Sequence, residues 1–427
     1  MNIQEALEKK QGEITIHGWV HRERGNNNLR FLIVRDTHNI IQCVIKKEDV
    51  DETMWGAAEQ VKVEAAVRIT GTLRVDERAP TGVELTATEF YVIGESNEFP
   101  LTKDLSAEHI ANNRHLWLRS RRMNAALKLR AACFKAFREY FDGEGFYEYH
   151  SPIFQATQTE GGSELFSVKY FDTELYLSQT WQLYAEAGIS SIEKIYTIAP
   201  TFRAENSKTA RHLTEFWMAE MEQAFVEVTD LHTHAQEVIR ACVRYCLEHC
   251  KEELALLERD TTALQAVLEK PFPRITYDEA IRKLNEEIGM NVEWGKDLRT
   301  LEEEALTKLY NVPIIVTDYP KEVKAFYMKE TPERPECVQG FDVLVQGVGE
   351  VIGGSQREED IQKIIDALKR EGEDPSEYEH YLDTRRYGSV PHGGFGLGME
   401  RLIAWIGGLD GVKEAIAFPR TPTRYNP

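Results

Sequence analysis

A strand that ends in charged side chains, crosses a short polar loop and returns as a second strand constrains the fold of this chain more than any other segment. Residues 202–205 read Phe-Arg-Ala-Glu, and residues 212–216 read His-Leu-Thr-Glu-Phe beyond the loop. Because side chains two apart in a strand share a face, we expect Arg203 and Glu205 to point the same way. The same rule groups four side chains of the return strand: Phe216, Met218, Glu220 and Glu222. Such a face suits a planar base with a phosphate tail.

A glycine-rich strand far downstream is the second informative stretch. Residues 394–401 read Gly-Phe-Gly-Leu-Gly-Met-Glu-Arg, and an apolar helix is predicted to follow. Arg401, at the start of that helix, offers a planar fork of donors and a permanent charge, which suits phosphate oxygens. The dinucleotide-binding pattern is not met, because Arg401 stands where its third glycine should be. Residues 141–152 form a third stretch, which reads as a helix end, a turn and a strand closing on Pro152.

In this order and spacing, the three stretches resemble motifs 1, 2 and 3 of class II aminoacyl-tRNA synthetases. The resemblance implies an α+β fold for residues 121–427, with an antiparallel sheet flanked by helices. Residues 121–142 read as an amphipathic helix, and residues 230–311 look like a helix-rich insertion. Motif 1 builds the subunit interface in this class, so the resemblance also implies a homodimer.

The N-terminal part reads as a small β domain. Residues 13–95 contain short alternating strands, with turns at 25–28 and 79–82 and one predicted helix near 51–62. Five strands and one helix suit an OB-fold β-barrel, although the strands alone leave another small β domain open. We predict an OB-fold anticodon-binding domain over 1–97 and a hinge over 98–120. An OB domain before a class II core resembles the aspartyl, asparaginyl and lysyl enzymes of subclass IIb.

Composition limits which other classes of protein this chain can belong to. The chain has 427 residues and a net charge of −20, so any contact with RNA must be local rather than driven by overall charge. We expect no membrane span and no signal peptide, because no apolar run is long enough and residues 1–12 are polar. Six cysteines without a CxxC pair indicate a reducing cytoplasm. Cys242, Cys246 and Cys250 recur every four residues, which is typical of one helix face rather than of a zinc site.

The resemblance implies the parts of an ATP site. Arg203 would bind the α-phosphate and the substrate carboxylate, Arg401 would bind the γ-phosphate, and Phe216 would stack under adenine. Arg203 and Arg401 are therefore the expected catalytic residues. The rest of the predicted ATP-binding set is Glu205, Arg211, His212, Leu213 and Glu350.

Magnesium prefers hard oxygen ligands, and two carboxylates are candidates. Asp342 and Glu350 lie on strands joined by a turn with Gly347 and Gly349, so a hairpin would bring them together. The family often has a serine three residues after this glutamate, where this chain has Gly353. Residues 353–354 are both glycine, which indicates a bulge or a close approach. A bulge would also let Glu350 and Arg357, an odd number of residues apart, face one site.

The predicted amino-acid pocket separates asparagine from aspartate. Aspartyl enzymes hold their substrate anion with an arginine and a lysine. Here Ala185 stands at the lysine position, whereas the arginine is present as Arg357. The resemblance places Glu220 beside Arg357, so that Arg357 donates to the substrate amide oxygen and Glu220 accepts from its nitrogen. Aspartate would meet like-charge repulsion at Glu220. Glu160 and Gln182 would hold the substrate ammonium.

Three residues of the OB domain match positions where the family reads the central anticodon base, namely Phe31, Gln42 and Glu84. Aromatic stacking and edge contacts are how unpaired RNA bases are recognised. The resemblance, closest to archaeal and eukaryotic asparaginyl enzymes, therefore implies ATP-dependent activation of L-asparagine and its transfer to tRNA(Asn), with Mg²⁺.

Three alternatives stay open at this point. The first is an aspartate–tRNA ligase, either specific or charging both tRNAs. The second is a synthetase paralogue that works without tRNA, although such paralogues commonly lack the anticodon domain. The third, a plain OB-fold nucleic-acid binder, leaves over 300 residues with synthetase motifs unexplained.

Overall fold

The computed structural model describes residues 1–102, 105–159, 165–206 and 209–426, which divide into two compact units at Asn113/Arg114. The first unit, Met1–Asn113, contains the predicted OB barrel. Its strands are β1 (Gly12–Gly25), β2 (Leu29–Arg35), β3 (Ile40–Lys46), β4 (Ala66–Val75) and β5 (Val83–Gly94). They close in the order β1-β2-β3-β5-β4, which confirms the prediction.

Alternation of side chains explains the barrel. Along β1, Ile14, Ile16, Gly18 and Val20 are buried, while Thr15, His17 and Trp19 between them are more exposed. Trp55 and Ala58 of the helix α2 pack against the same core. The helices of this unit are α1 (Ile3–Lys9), α2 (Glu52–Gln60) and α3 (Ala107–Asn112). The predicted hinge region contains α3 and the short α4 (Arg114–Trp117).

The second unit, Arg114–Pro427, is built on one large sheet with the order β12-β13-β15-β16-β17-β11-β10-β6, to which β14 adds at β15. A separate small sheet has the order β7-β9-β8. The bounds of the strands are β6 Tyr147–Glu148, β7 Phe154–Gln155, β8 Ser167–Tyr170, β9 Thr173–Leu177, β10 Lys194–Phe202, β11 Glu215–Ala224, β12 Arg274–Thr276, β13 Ile314–Pro320, β14 Glu330–Thr331, β15 Arg334–Val345, β16 Gly349–Gln356 and β17 His392–Gly398.

Helices cover the sheet through apolar stripes. Beyond α4, they are α5 Arg121–Gly143, α6 Gln182–Gly188, α7 Val228–His249, α8 Lys251–Leu256, α9 Thr262–Glu269, α10 Tyr277–Arg282, α11 Thr300–Thr307, α12 Ile361–Glu371, α13 Glu379–Arg386 and α14 Met399–Gly407. In α5, Leu129, Cys133 and Phe137 recur every four residues and lie in the main core. The helix begins where the Ser120 side chain accepts a hydrogen bond from the Met123 amide.

The segment 230–311 is helix-rich, as predicted, and parts of it pack against the main sheet. Val238 and Cys242 of α7 lie in the same core as α5 and the central sheet. Strand β12 joins the main sheet beside β13. Helix α7 and strand β12 therefore bury apolar side chains against the main sheet, and the helical insertion stays a prediction.

The predicted cysteine stripe is a helix face. All six cysteines are free and buried, and Cys242 and Cys246 of α7 face the core. Burial raises the pKa of the Cys242 thiol well above its ordinary value, so it packs as a small apolar side chain.

Candidate active site

A cavity of about 580 Å³ in the second unit contains every predicted ATP-, metal- and amino-acid-binding residue that the structure describes. These residues are Gln182, Arg203, Glu205, Arg211, His212, Leu213, Phe216, Glu220, Asp342, Glu350, Arg357 and Arg401. The remaining member of the predicted set, Glu160, lies outside the described residues. The anticodon residues belong to the first unit and are treated separately below.

Strand β11 sets the length of the cavity. Phe216, Glu220 and Glu222 occupy one face of this strand and all line the cavity. Because a strand rises about 3.4 Å per residue, Phe216 lies roughly 14 Å from Glu220. An aromatic ring and a pair of carboxylates therefore mark two well-separated subsites along one strand.

The Phe216 subsite is built around a cation–ring contact. The guanidinium of Arg203 lies 5.7 Å from the centre of the Phe216 ring. Arg203 directly follows Phe202, the last residue of β10, and does not itself lie in a strand. Strand alternation, which the sequence predicted, therefore does not explain why Arg203 and Glu205 both line the cavity. The backbone amide of Arg203 donates to the Thr214 carbonyl at 3.1 Å, which continues the β10–β11 pairing by one residue and still points both side chains into the cavity.

Glycines bring β17 close against β11. A Cβ at Gly394 would collide with the Met221 carbonyl and the Glu222 carboxylate. A Cβ at Gly396 would collide with the end of the Met218 side chain. Strand β17 then runs directly into α14, whose third residue is Arg401.

Arg401 lies against the β15–β16 hairpin. Its Nη1 donates to the carbonyl oxygen of Glu350 at 2.9 Å and to Glu350 Oε2 at 3.2 Å. Burial raises the pKa of Glu350, but Arg401, Lys324 and Arg203 outweigh that effect and leave it below its ordinary value. Glu350 is thus held as an anion among cations.

Asp342 and Glu350 converge over Gly353. A Cβ placed on Gly353 would lie 2.9 Å from Glu350 Oε1 and 3.5 Å from Asp342 Oδ1. The pKa of Asp342 is raised to about 6, chiefly by burial and also by the neighbouring Glu350, while Lys324 opposes both effects. Two carboxylates that share a buried site are stabilised by a cation, so this donor set fits Mg²⁺. The glycine makes room for the carboxylates, which is the close approach that the sequence indicated.

The predicted bulge lies on β16. The register with β15 shifts between Val343 and Leu344, which pair with Ile352 and Glu350. One residue of β16, Val351, is therefore unmatched, and the strand changes its face there. This irregularity lets Glu350 and Arg357 line the same cavity.

Two charged residues at this site, Lys324 and Glu303, were not predicted from the sequence. Lys324 lines the cavity, and Glu303 contacts a residue that lines it. Lys324 donates to Asp342 Oδ2 at 2.7 Å. Glu303, from α11, accepts from Arg211 Nη1 at 3.2 Å, and burial followed by repulsion from Glu350 raises its pKa to about 7. Neither residue belongs to a motif, and only the packing of α11 and of the turn before β14 brings them in.

His212 lies in the same loop as Arg211. Its Nδ1 is 2.5 Å from Thr209 Oγ1, and its Nε2 is 4.0 Å from Glu205 Oε2. Burial, together with the charge of Arg401, lowers its pKa. The loop between β10 and β11 thus presents a neutral imidazole and a cation to the part of the cavity that contains Arg401.

The carboxylate that forms the ion pair with Arg357 is Glu222, whereas Glu220, which the resemblance places beside Arg357, has other partners. Arg357 Nε donates to Glu222 Oε1 at 3.0 Å, and Nη2 donates to Oε2 at 2.8 Å. Glu220 instead accepts from the Trp181 amide at 3.1 Å and from the Thr180 hydroxyl. Glu222 is two residues further along the same strand face, and it reaches Arg357 because β11 and β16 flank β17.

Glu186, Glu222 and His392 each offer an atom within 4.8 Å of the others, as a metal site would require. Arginines already compensate both carboxylates, since Arg385 Nη2 lies 2.6 Å from Glu186 Oε2 and Arg357 binds Glu222. A cation would have to displace both guanidinium groups. The cluster is therefore an ion-pair network behind the cavity.

The three predicted anticodon residues share the outer face of the barrel in the first unit. Gln42 pairs with Glu84 across β3 and β5, and Phe31 lies diagonally from Gln42 on β2. Gln42 Nε2 donates to Glu84 Oε2 at 3.1 Å. Within the described residues the buried Gln42 Oε1 has no hydrogen-bond partner, so an acceptor is left for a ligand.

Comparisons with known proteins agree with this geometry. Residues 106–422 match the family described as tRNA synthetases class II (D, K and N), and residues 14–93 match the OB-fold nucleic acid binding domain of the tRNA anti-codon family. The asparagine–tRNA ligase of Thermococcus gammatolerans is 44% identical over 427 residues, covering 100% of this chain and 98% of the relative. That of Thermococcus kodakarensis is 45% identical, covering 97% and 96%.

A solved structure gives the same result. The asparaginyl-tRNA synthetase from Pyrococcus horikoshii, complexed with asparaginyl-adenylate, superimposes with a TM-score of 0.96 at 42% identity. The match covers 100% of this chain and 99% of that chain.

Proposed function

Because this chain belongs to the class II tRNA synthetases for aspartate, lysine and asparagine, and within them to the asparagine–tRNA ligase family, we propose that its cavity activates L-asparagine with ATP and passes it to tRNA(Asn). Members of this family are ligases that use ATP. One observation carries the assignment of the cavity: a single strand face, on β11, places an arginine-backed aromatic ring at one end and the Glu220 and Glu222 carboxylates at the other.

In the first step, the asparagine carboxylate attacks the α-phosphate of ATP, and pyrophosphate leaves. Arg203 holds the α-phosphate and the attacking carboxylate together, while Phe216 supports the adenine ring. Arg401 neutralises charge on the γ-phosphate, with Arg211 and His212 toward the pyrophosphate. The reaction needs no side-chain nucleophile, because positioning of the reactants and neutralisation of their charge supply the catalysis.

In the second step, a terminal ribose hydroxyl of tRNA attacks the acyl carbon of the adenylate, and AMP leaves. Glu205, in the loop after β10, faces the adenine or the acceptor end of the tRNA. Asp342 and Glu350 would hold Mg²⁺, which offsets phosphate charge when it is bound. Glu160 and Gln182 would hold the substrate ammonium, and Glu220 and Arg357 the side-chain amide.

The assignment is tested by amino-acid-dependent pyrophosphate exchange, with asparagine and aspartate measured separately. Exchange that depends on asparagine supports it. Exchange with aspartate at equal efficiency would instead support the aspartyl alternative.

We also propose that the barrel reads the anticodon. Phe31→Ala should lower the kcat/KM of tRNA charging by about 10- to 100-fold, because stacking on a base contributes about 1–3 kcal/mol. Pyrophosphate exchange should not change, because it needs no tRNA. Ile93→Ala, at a 56% exposed position of β5, is the control for removing an apolar side chain from this unit. Equal losses in exchange and in charging would contradict the assignment.

A homodimer is part of the same proposal. Phe154, Tyr170 and Phe171 form a chain of ring contacts close after Pro152, at 5.8 and 4.8 Å, and all three are exposed. Exposed apolar clusters of this kind mark interaction sites. Sedimentation should give a dimer, and Phe154→Asp should shift it toward monomer. Leu301→Asp, at a 68% exposed position, should leave the dimer intact. A wild-type protein that is fully active as a monomer would contradict the proposal.

No helix in the part of the chain that the structure describes is both long and apolar enough for a membrane crossing. The proposed location is the cytoplasm. It is supported by six unpaired cysteines, since pairing would be expected in an oxidising compartment.

A further inference from the structure

We propose that Glu186, which no motif singles out, is a positioning residue that sets the preference of the pocket for asparagine over aspartate. The inference rests on the proposed function and concerns a residue that contacts the side chains proposed to bind the substrate. Glu186 lies on α6, four residues after Gln182, and its side chain is fully buried. It touches residues on both sides of the amino-acid pocket.

The first contact orients Gln182. Gln182 Nε2 donates to Glu186 Oε1 at 2.9 Å. A carboxylate can only accept, so this bond fixes which end of the Gln182 amide faces Glu186. The amide oxygen is then available on the other side, where it can accept from the substrate ammonium. Without the negative charge at Glu186, the amide could turn and present its nitrogen to a cation.

The second contact concerns the charge of Arg357. Glu222 and Ser355 use three of its five N–H groups, which leaves two donors for a ligand. Glu186 Oε1 lies 3.9 Å from Arg357 Nε, so a second carboxylate compensates the same guanidinium. Arg357 therefore offers hydrogen bonds with little unbalanced positive charge. An amide oxygen needs only the hydrogen bonds, whereas a carboxylate also needs the charge.

Glu186 is itself held as an anion. Its Oε2 accepts from Arg385 Nη2 and from the Tyr381 hydroxyl at 2.9 Å, and it lies 3.0 Å from His392 Nε2. Burial raises the pKa of Glu186, but Arg385, His392 and Arg357 outweigh it and keep the pKa low.

The charges around the pocket then favour a neutral substrate. Three buried carboxylates, Glu186, Glu220 and Glu222, face two buried guanidinium groups, Arg357 and Arg385. Ala185 adds no cation where aspartyl enzymes carry their lysine. A substrate carboxylate would add to the negative excess, and that repulsion is strong where water is excluded.

The experiment measures pyrophosphate exchange by Glu186→Gln with asparagine and with aspartate. We expect the ratio of kcat/KM for asparagine to that for aspartate to fall about tenfold or more. The KM for asparagine should rise while the KM for ATP stays unchanged. A purely structural role would lower both amino acids equally, so an unchanged ratio in the folded variant overturns the inference.

Two further variants keep the test decisive. Glu186→Gln leaves Arg385 buried without its partner, so Glu186→Gln/Arg385→Gln is measured as well. This double variant removes one charge of each sign, so its ratio should fall less than that of Glu186→Gln. It still removes the carboxylate that orients Gln182, so its KM for asparagine should rise; an unchanged KM in the folded double variant would contradict the role of Glu186. Tyr381→Phe removes a hydrogen bond to Glu186 but not its charge, and should keep the wild-type ratio. A ratio that falls in Tyr381→Phe as much as in Glu186→Gln would also overturn the inference. Wild-type protein that does not use asparagine would refute the proposed function instead.

Discussion

Replacement of Arg401 by alanine is expected to lower the rate of adenylate formation by about 10²-fold or more. Loss of one charge-stabilising donor in a water-excluded site has this scale. Arg401 already lies 3.2 Å from Glu350, so the side chain is in place before substrate arrives and does not need a loop to close. The measurement is single-turnover formation of asparaginyl-adenylate at saturating ATP and asparagine.

The Arg401→Ala fold should survive, because α14 is anchored by other side chains. Leu402, Ile403 and Ile406 are fully buried, and Gly408 ends the helix with a left-handed backbone. Arg386→Ala removes an arginine of similar exposure, which among the described residues pairs only with neighbours on α13, and should retain full activity. A folded Arg401→Ala protein with normal adenylate formation would remove Arg401 from the proposed mechanism.

The sequence was most informative where one pattern determines the structure. Side-chain alternation predicted the barrel strands, and the glycine-rich stretch predicted a strand running into a helix with Arg401 at its start. The bulge on β16 was also predictable, because Glu350 and Arg357 had to reach one site from an odd spacing. In each case the cause is local, since the pattern and its consequence lie within a few residues.

The sequence was least informative where the choice is between near-equivalent partners. Glu220 and Glu222 share one strand face, and nothing in a strand pattern decides which of them meets Arg357. The order of β11, β17 and β16 in the sheet decides which carboxylate pairs with Arg357, and glycines let these neighbouring strands approach closely. The same holds for Lys324 and Glu303, which reach the cavity through packing between distant segments. The packing of α7 into the main core was unpredictable for the same reason, because helical periodicity does not show what a helix packs against.

Asparagine should be preferred over aspartate by about 10⁴-fold or more in kcat/KM for pyrophosphate exchange. A pocket built to hydrogen-bond a polar group can reject its close analogue on this scale when partners are left unpaired or repelled. Glu220 is the proposed acceptor for the substrate amide nitrogen. It is 4% exposed, and the Trp181 amide and the Thr180 hydroxyl hold its carboxylate in one orientation. A carboxylate can only accept hydrogen bonds, so Glu220 can accept from an amide nitrogen but has nothing to accept from a substrate carboxylate.

Glu220→Gln should erode this preference, because a neutral amide no longer repels a substrate carboxylate and can donate to it. The substitution is nearly isosteric, and the Thr180 hydroxyl can accept from the new amide nitrogen while the oxygen keeps the Trp181 amide bond, so the fold should persist. Arg357→Ala, in contrast, should abolish the use of either amino acid, since it removes the donors for the side-chain oxygen and strands Glu222 without its partner. The two variants therefore separate selectivity from binding. If Glu220→Gln keeps the wild-type preference while remaining folded and active, Glu220 does not read the amide, and the selectivity must come from the carboxylates around Arg357.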